Sequence, residues 1–185
     1  MEPCTPLRLE TERLVLRELR ADDWRDARAL DGDREVVRYQ TNDVSDEAET
    51  RAYLERRIAA ASCVPRLVFD LAVTLRGDDR WLGRAGCTIE KPEHREAQLF
   101  CSLRRDAWRH GYAVEAGRAV LAFAFGALQL HRVYGDCDPR NQGSARAMEK
   151  LGMRLEGHLR ENWFLKGEWC DSLIYSILAH EYAAL

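Results

Sequence analysis

Apolar and polar residues alternate imperfectly over RLVLREL (13–19), where Leu14, Leu16 and Leu19 predict a first strand. The period then lengthens. ADDWRDARAL offers Asp22 or Asp23 as a helix cap and sets Trp24, Ala27 and Leu30 on one stripe. Ser45 or Asp46 opens a second helix, with Leu54, Ile58 and Ala61 in line and Glu55, Arg56 and Arg57 facing outward. Pro65 closes that section. RLVFDLAVTL (66–75), WLGRAGCTIE (81–90) and EAQLFCSL (96–103) read as three strands, separated only by RGDD and by Lys91-Pro92-Glu93. Connections this short suit antiparallel neighbours and are too short for a parallel crossover.

From Gly111 to Leu128 the pattern is helical again, with apolar or small residues at 114, 117, 121, 124, 125 and 128 on one face. Ala113, Ala116, Val120 and Phe123 keep the other side almost as apolar, and only Glu115 and Arg118 carry charge. A helix of this kind is buried around much of its circumference and lies across a sheet. HRVYGDCDP (131–139) predicts a strand, and Asn141 begins a helix that runs to Leu151 and stops at Gly152. MRLEGHLRENWF and WCDSLIYSIL are two last strands joined at Lys166-Gly167. The result is an α+β fold, with a mostly antiparallel central sheet of about seven strands flanked by about four helices. The segment 96–139 is its one natural parallel crossover.

The chain has 185 residues and no repeat, low-complexity tract or linker, which predicts a single domain over 1–185. With 46% hydrophobic and 32% charged residues, it has the composition of an ordinary globular protein. A net charge of −3 gives no global electrostatic case for nucleic acid or an anionic membrane. The only lysines are Lys91, Lys150 and Lys166, so arginine dominates the 28 basic residues; their even distribution fits a GC-rich genome better than a functional surface. None of Cys4, Cys63, Cys87, Cys101, Cys137 and Cys170 forms a C-x-x-C pair or stands at zinc-ligand spacing, so no metal is expected; most lie inside apolar strand-like runs, where a reduced cysteine packs as a small hydrophobe. MEPCTPLRLE has no charged-then-apolar leader, and no apolar run is long enough to span a bilayer; the reading is cytoplasmic and bacterial.

Chemistry concentrates in WRHGYAVEAGRAV (108–120). Helices usually begin on Ser, Thr, Asp or Asn, whose side chains satisfy the first free N–H groups, yet no such residue stands between Ala107 and Glu115. The start of this helix therefore presents unpaired donors with partial positive charge. Gly111 permits close backbone approach, and Arg104, Arg105, Arg109 and His110 surround the turn. Together they make an anion cradle suited to a diphosphate. The alternative is that Gly111 only eases a tight turn and water solvates the donors. Neither G-x-x-x-x-G-K-[ST] nor G-x-G-x-x-G occurs.

W-R-H-G-Y-A-V-E-A resembles the pyrophosphate loop of the GNAT superfamily of N-acetyltransferases, Q/R-x-x-G-x-G/A, with Trp108 at the Q/R position, Gly111 at the glycine and Ala113 at the last small position. L-x-L-H-R-V-Y (128–134), D-P-R-N-Q-G-S (138–144), E-K-L-G-M (149–153), E-G-H-L-R-E (156–161) and K-G-E-W-C-D (166–171) are similar to the branch containing the ribosomal-protein N-terminal acetyltransferases, RimJ/RimL. The resemblance spans about 8–182 in element order and is densest over 103–175. It implies acetyl-CoA as co-substrate. The pyrophosphate would lie on the backbone of Trp108, Arg109, His110, Gly111, Tyr112, Ala113 and Val114. The pantetheine would run beside Phe100–Leu103, where that strand splays from strand 132–137, and the side chain of Asn141 would reach the pantetheine. Asn141 also reads as a plain helix N-cap.

Acetyl transfer from a thioester to an amine needs three things. The amine must lose a proton, since a free amine of pKa about 8–10 is mostly ammonium at neutral pH. The thioester oxygen needs a donor, for which the resemblance offers a backbone N–H near Ser102 or Leu103. The departing thiolate takes a proton. Many relatives carry a tyrosine for that last step seven residues after the helix-opening asparagine; here the position is Met148, which has no proton to give. Ser144 matches a serine that the RimJ/RimL branch places near the sulfur and is the expected acid or thiol-positioning group, although a serine in a first helical turn is also common. The glutamate that relatives often place in the strand before the loop corresponds to Gln98, which is no base. Glu161 is the first candidate base, followed by Glu96. Asp136 or Asp138 would act through a water. His110 reads as an exposed loop residue and His158 as pointing off a strand. Tyr39, Trp163, Phe164 and Trp169 are candidate walls of an acceptor groove, against the commoner role of aromatics as core.

The leading reading is an acetyl-CoA-dependent N-acetyltransferase acting on a primary amine, either a protein or peptide N-terminus or a small molecule. The lack of a long acidic cluster speaks against a polycation. The alternative is a non-catalytic acyl-CoA-binding module that has lost its acid and base. An RNA- or ribosome-binding role is weak, because acidic residues are interspersed among the basic ones. A homodimer stays open.

Overall fold

The computed structural model describes residues 6–184. Its elements are β1 (Arg8–Glu10), β2 (Leu14–Glu18), α1 (Trp24–Asp31), α2 (Arg34–Val37), α3 (Glu47–Ala61), β3 (Val68–Leu75), β4 (Trp81–Lys91) and β5 (Glu96–Leu103), then α4 (Tyr112–Gly126), β6 (Arg132–Cys137), α5 (Gln142–Lys150), β7 (Arg154–Leu165), β8 (Glu168–Leu178) and α6 (Ala179–Tyr182). The strands form one eight-stranded sheet in the order β1-β2-β3-β4-β5-β6-β8-β7. Every pairing is antiparallel except β5 with β6, as the crossover over 96–139 requires. The α+β expectation holds. The sequence pattern misses β1, whose RLE is too short to show a period, and the short helices α2 and α6.

Two layers of helix cover the sheet. On one face Leu14, Leu16, Leu71, Val73, Ala85 and Cys87 pack against Ala116, Val120, Leu121 and Ala124 of α4. Burying one leucine completely contributes about 1.5–3 kcal/mol, so this contact anchors α4 across the strands that flank the site. On the other face Leu19, Ala72 and Trp81 meet Ala27 and Leu30 of α1 and Leu54 of α3.

Three sequence expectations change here. Asp23 precedes α1 but does not cap it: its carboxylate accepts from the Arg17 guanidinium at 2.9 and 2.8 Å and from the Arg20 N–H. Arg57 turns inward, lying 3.4 Å from the buried carboxylate of Asp70, which also accepts from Tyr53 Oη at 2.5 Å. Cys63 and Cys101 are exposed, whereas Cys87, Cys137 and Cys170 are buried as expected; Cys4 lies outside the described residues. Asp46 does cap α3, through a reciprocal box in which Glu49 N–H donates to Asp46 and Asp46 N–H to Glu49.

Candidate active site

β5 and β6 pair only at Glu96↔Arg132, Ala97↔Val133 and Gln98↔Tyr134. β6 then follows β8, with which it pairs along its whole length, while β5 stays on β4 to Leu103. The expected splay is therefore real and starts just past Gln98. Strand geometry says which backbone groups face it. Arg104 N–H donates to Leu82 O on β4 at 2.9 Å, so by alternation Ser102 and Phe100 also turn their backbone groups toward β4. Leu99, Cys101 and Leu103 turn theirs toward the gap. Of the two donors expected near the thioester, the geometry selects Leu103 N–H. The Ser102 N–H faces β4, and the Ser102 hydroxyl accepts from Gln40 Nε2 at 2.9 Å.

The chain leaves β5 through a single turn of 3-10 helix and then makes the cradle. Trp108 Nε1 donates to Leu103 O at 2.7 Å, locking the loop to the last residue of the strand. Arg109 has φ 64° and Gly111 φ 82°, and Gly111 heads α4 with no side-chain cap. Glu115 N–H to Gly111 O is the first helical bond, at 3.1 Å; the N–H groups of 109–114 have no acceptor among the described residues. Such a run of unpaired donors at a helix N-terminus fits an anion of diphosphate size.

Glu115, in the first turn, would oppose an anion, but its charge is taken up. Its carboxylate accepts from Thr11 Oγ1 at 2.6 Å, from Arg13 N–H at 2.9 Å and from Arg13 Nε at 2.7 Å. Burial pushes the Glu115 carboxyl upward, and these three hydrogen bonds with the Arg13 charge outweigh that push and hold it below the usual carboxylate range. Arg13 Nη1 also donates to His110 O at 3.1 Å, which engages that carbonyl. His110 is exposed, as expected, and stacks on Tyr112 with ring centroids 5.5 Å apart. The expected ring of positive charge is thinner than the sequence suggested: Arg104 pairs with Asp26 at 2.9 Å and Arg105 with Asp33 at 2.8 Å. Arg13 was missed because it lies in another strand's approach, with no local signal linking it to Glu115.

Beyond the gap, Asn141 heads α5 and its Oδ1 accepts from Ser144 N–H at 3.2 Å. The capping role is thus present, and Nδ2 has no acceptor among the described residues. Ser144 stands in the first turn beside Cys137 at the end of β6; burial pushes that thiol up to about 11, and the nearby Ser144 side chain opposes the rise. Met148 is buried, with its sulfur 3.1 Å from where a Cβ on Gly135 would lie, so this position belongs to the core.

The candidate bases separate cleanly. Glu161 sits at φ 48° in the bulge of β7, the outermost strand, exposed and two strands from the gap; its N–H donates to Asp171 at 2.8 Å. With Arg160 and Asp171 it lines a shallow depression. Glu96 is clamped between Lys91 at 2.7 Å and Arg132 at 2.8 Å, and the Lys91 hydrogen bond leads the effects that hold it low. Asp138 is gripped by Arg140 through N–H, Nε and Nη2, so it serves the turn. His158 pairs with Asp171 at 2.6 Å. Gln98 Nε2 donates to Asp136 Oδ1 at 2.6 Å. Trp163, Phe164 and Trp169 are 45%, 60% and 62% exposed, which removes them from the core and leaves them available as a surface. Lys166, at the hairpin tip, donates to Val37 O, bringing β7–β8 against the segment that carries Tyr39.

A slot along β5 ending on uncapped helix donors is the architecture of an acyl-CoA transferase. Residues 13–154 match the family model of the acetyltransferase (GNAT) domain, and the chain belongs to this family of N-acetyltransferases. It is 29% identical over 177 residues to the uncharacterized N-acetyltransferase YnaD of Bacillus subtilis, covering 95% of this chain and 99% of YnaD. The crystal structure of a GNAT-family acetyltransferase from Bacillus anthracis superposes with a TM-score of 0.86 at 29% identity, covering 94% of this chain and 99% of that one. The fold is shared with spermidine N-acetyltransferase from Vibrio cholerae, solved with CoA and spermine, at a TM-score of 0.82 and 22% identity over 94% of this chain and 99% of that one. Among the described residues no helix is long and apolar enough to cross a membrane, and no cluster of His, Cys, Asp or Glu is arranged to hold a metal.

Proposed function

We propose that the chain moves the acetyl group of acetyl-CoA to a primary amine by direct attack within a ternary complex. The observation that carries this reading is the continuity of two sets of unpaired backbone donors: the open edge of β5 and the N–H groups of 109–114, joined by the Trp108–Leu103 lock. An extended amide chain pairs with the first set as an added strand would, and a diphosphate accepts from the second. Acetyl-CoA supplies an activated acyl group whose thiol leaves readily.

The protein's own contributions follow from position. Leu103 N–H is aimed into the gap, where it stabilises negative charge building on the carbonyl oxygen; one such donor is worth about 2.7–4 kcal/mol in acyl transfer. Ser144 lies across the gap, at the start of α5, and protonates or positions the leaving sulfur. Asn141 spends its oxygen on the helix cap and keeps its amide donor for the pantetheine. Glu161, Tyr39, Trp163, Phe164 and Trp169 belong to the acceptor side, shaped by the β7–β8 hairpin.

The motifs over 128–171 support placement in the RimJ/RimL branch, and with it a protein or peptide N-terminus as acceptor; a small-molecule amine suits the same chemistry. The reaction belongs in the cytoplasm, where acetyl-CoA is made and exposed thiols such as Cys63 and Cys101 stay reduced. A homodimer is compatible with this reading. The test is thiol release from acetyl-CoA across a panel of peptides and small amines. Saturable binding of acetyl-CoA with no thiol release from any amine would instead leave a non-catalytic binding module.

A further inference from the structure

Asp136 lies two residues past the last rung between β5 and β6, at the crotch of the splay. By strand alternation its side chain shares a face with Tyr134 and Arg132, opposite the face on which Val133, Gly135 and Cys137 are buried. Ser144 and Met148 approach from that buried side. A thioester in the gap therefore has Ser144 on one face of the sheet and Asp136 on the other. Gln98 has a defined partner here. Its amide donates to Asp136 Oδ1 at 2.6 Å, which orients the carboxylate and leaves Oδ2 uncommitted among the described residues. β5 and β6 thus present between them one oriented carboxylate at the gap. The neighbouring ionisable groups on this face are otherwise engaged: Tyr134 Oη donates to Glu90, and Glu96 is held by Lys91 and Arg132, which also reaches Glu156. Cys137, the next residue, points to the other face.

We infer that Asp136, oriented by Gln98, binds the ammonium of the acceptor and takes its proton. This rests on the acetyltransferase reading above. The ammonium gives one proton to Asp136 Oδ2. The freed nitrogen lone pair forms the N–C bond as the C–S bond breaks. The second proton leaves the nitrogen for the departing sulfur on the Ser144 side, and Asp136 returns its proton to water. Atoms and charge balance as ammonium plus thioester giving amide, thiol and one released proton. Gln98 is a positioning residue: it acts only through the carboxylate.

The test uses the full chain with acetyl-CoA, with spermidine and a short peptide bearing a free N-terminus as acceptors, and with water alone as the default acceptor. Asp136→Asn is expected to lower kcat about 100-fold at pH 7, the range of a single general base. Acetyl-CoA binding by thermal shift should stay within about twofold. The variant's rate should then climb about tenfold per pH unit toward the amine's own pKa, because the solution supplies the free amine the carboxylate no longer makes. Gln98→Ala should give a smaller kcat loss with the same pH signature. A kcat for Asp136→Asn within threefold of the parent overturns the inference. So does a loss that no pH recovers, which would mark a structural role, or a pH-recoverable loss in Glu161→Gln that is absent from Asp136→Asn. A parent protein that binds acetyl-CoA yet releases thiol with no amine and no water refutes the acetyltransferase reading itself, and this inference with it.

Discussion

Arg13 Nη2 lies 2.6 Å from Glu115 Oε2, tying the first turn of α4 to the segment that enters β2. The pair holds the cradle from outside: Arg13 offsets the one acidic charge at the helix start and also holds the His110 carbonyl through a hydrogen bond. Glu115→Gln keeps the size and loses the charge. It is expected to cost about 1–2 kcal/mol at pH 7, the worth of hydrogen bonds to a charged group. Because the folded carboxyl is held below its ordinary value, its contribution is complete above the unfolded pKa of about 4.3 and is lost as pH falls through the lower folded value. Chemical denaturation of both proteins at pH 7 and in stepwise acid should show the gap closing only below about pH 4; a constant gap would mean that the ion pair is not its source.

Gly111 carries φ 82°, and a Cβ there would meet only Arg13 Nη2 at 3.5 Å. Space is thus available in the free protein, and the constraint comes from the backbone and from whatever occupies the cradle. Acetyl-CoA at 100 times its Kd should stabilise the parent by about 2.7 kcal/mol. For a domain of this size that is a rise in Tm of roughly 5–10 °C. Gly111→Asp places a carboxylate at the diphosphate and should abolish the rise, while dephospho-CoA, which keeps the diphosphate, should retain much of it in the parent.

Met148 is packed in the core, so a tyrosine placed there is not expected to serve as the acid. Met148→Tyr puts a larger side chain against Gly135, Leu151 and Met153. Overpacking of this sort costs about 1–3 kcal/mol. The expected outcome is a lower Tm and no gain in kcat; a faster enzyme would show that the hydroxyl finds the sulfur after all.

Ser144→Ala removes the hydroxyl beside Cys137 and leaves the backbone N–H that Asn141 caps. The helix should survive, acetyl-CoA should bind within about twofold, and kcat should fall by about tenfold or more if the hydroxyl serves the leaving sulfur. Unchanged turnover with a leaving group as acidic as a thiol would restrict Ser144 to its structural place in the first turn that Asn141 caps.

Asp31, the last residue of α1, is the buried partner of Arg84, at 2.8 Å. Asp31→Ala strands the arginine's charge and should cost about 3–5 kcal/mol in urea unfolding. That loss should leave the pH profile of any surviving activity unmoved, which separates it from substitutions in the gap.

Local pattern carried most of the elements. Leu14 and Leu16, the apolar run 66–75, the small-residue helix from Gly111 and the capped start at Asp46 each declare themselves within a few residues, because burial with a period of 2 or 3.6 and side-chain capping are short-range facts. The uncapped opening of α4 was legible for the same reason, as a missing acceptor between Ala107 and Glu115. What the sequence could not decide was which of many charged side chains meet. Glu115 finds Arg13, Arg104 finds Asp26, Arg57 turns in to Asp70, and Gln98 hands its amide to Asp136. Those pairings depend on strand order and on the point where β6 leaves β5 for β8, and neither has a local signature. Hydrophobic period sets what is buried; only the assembled sheet sets which polar groups are left facing one gap.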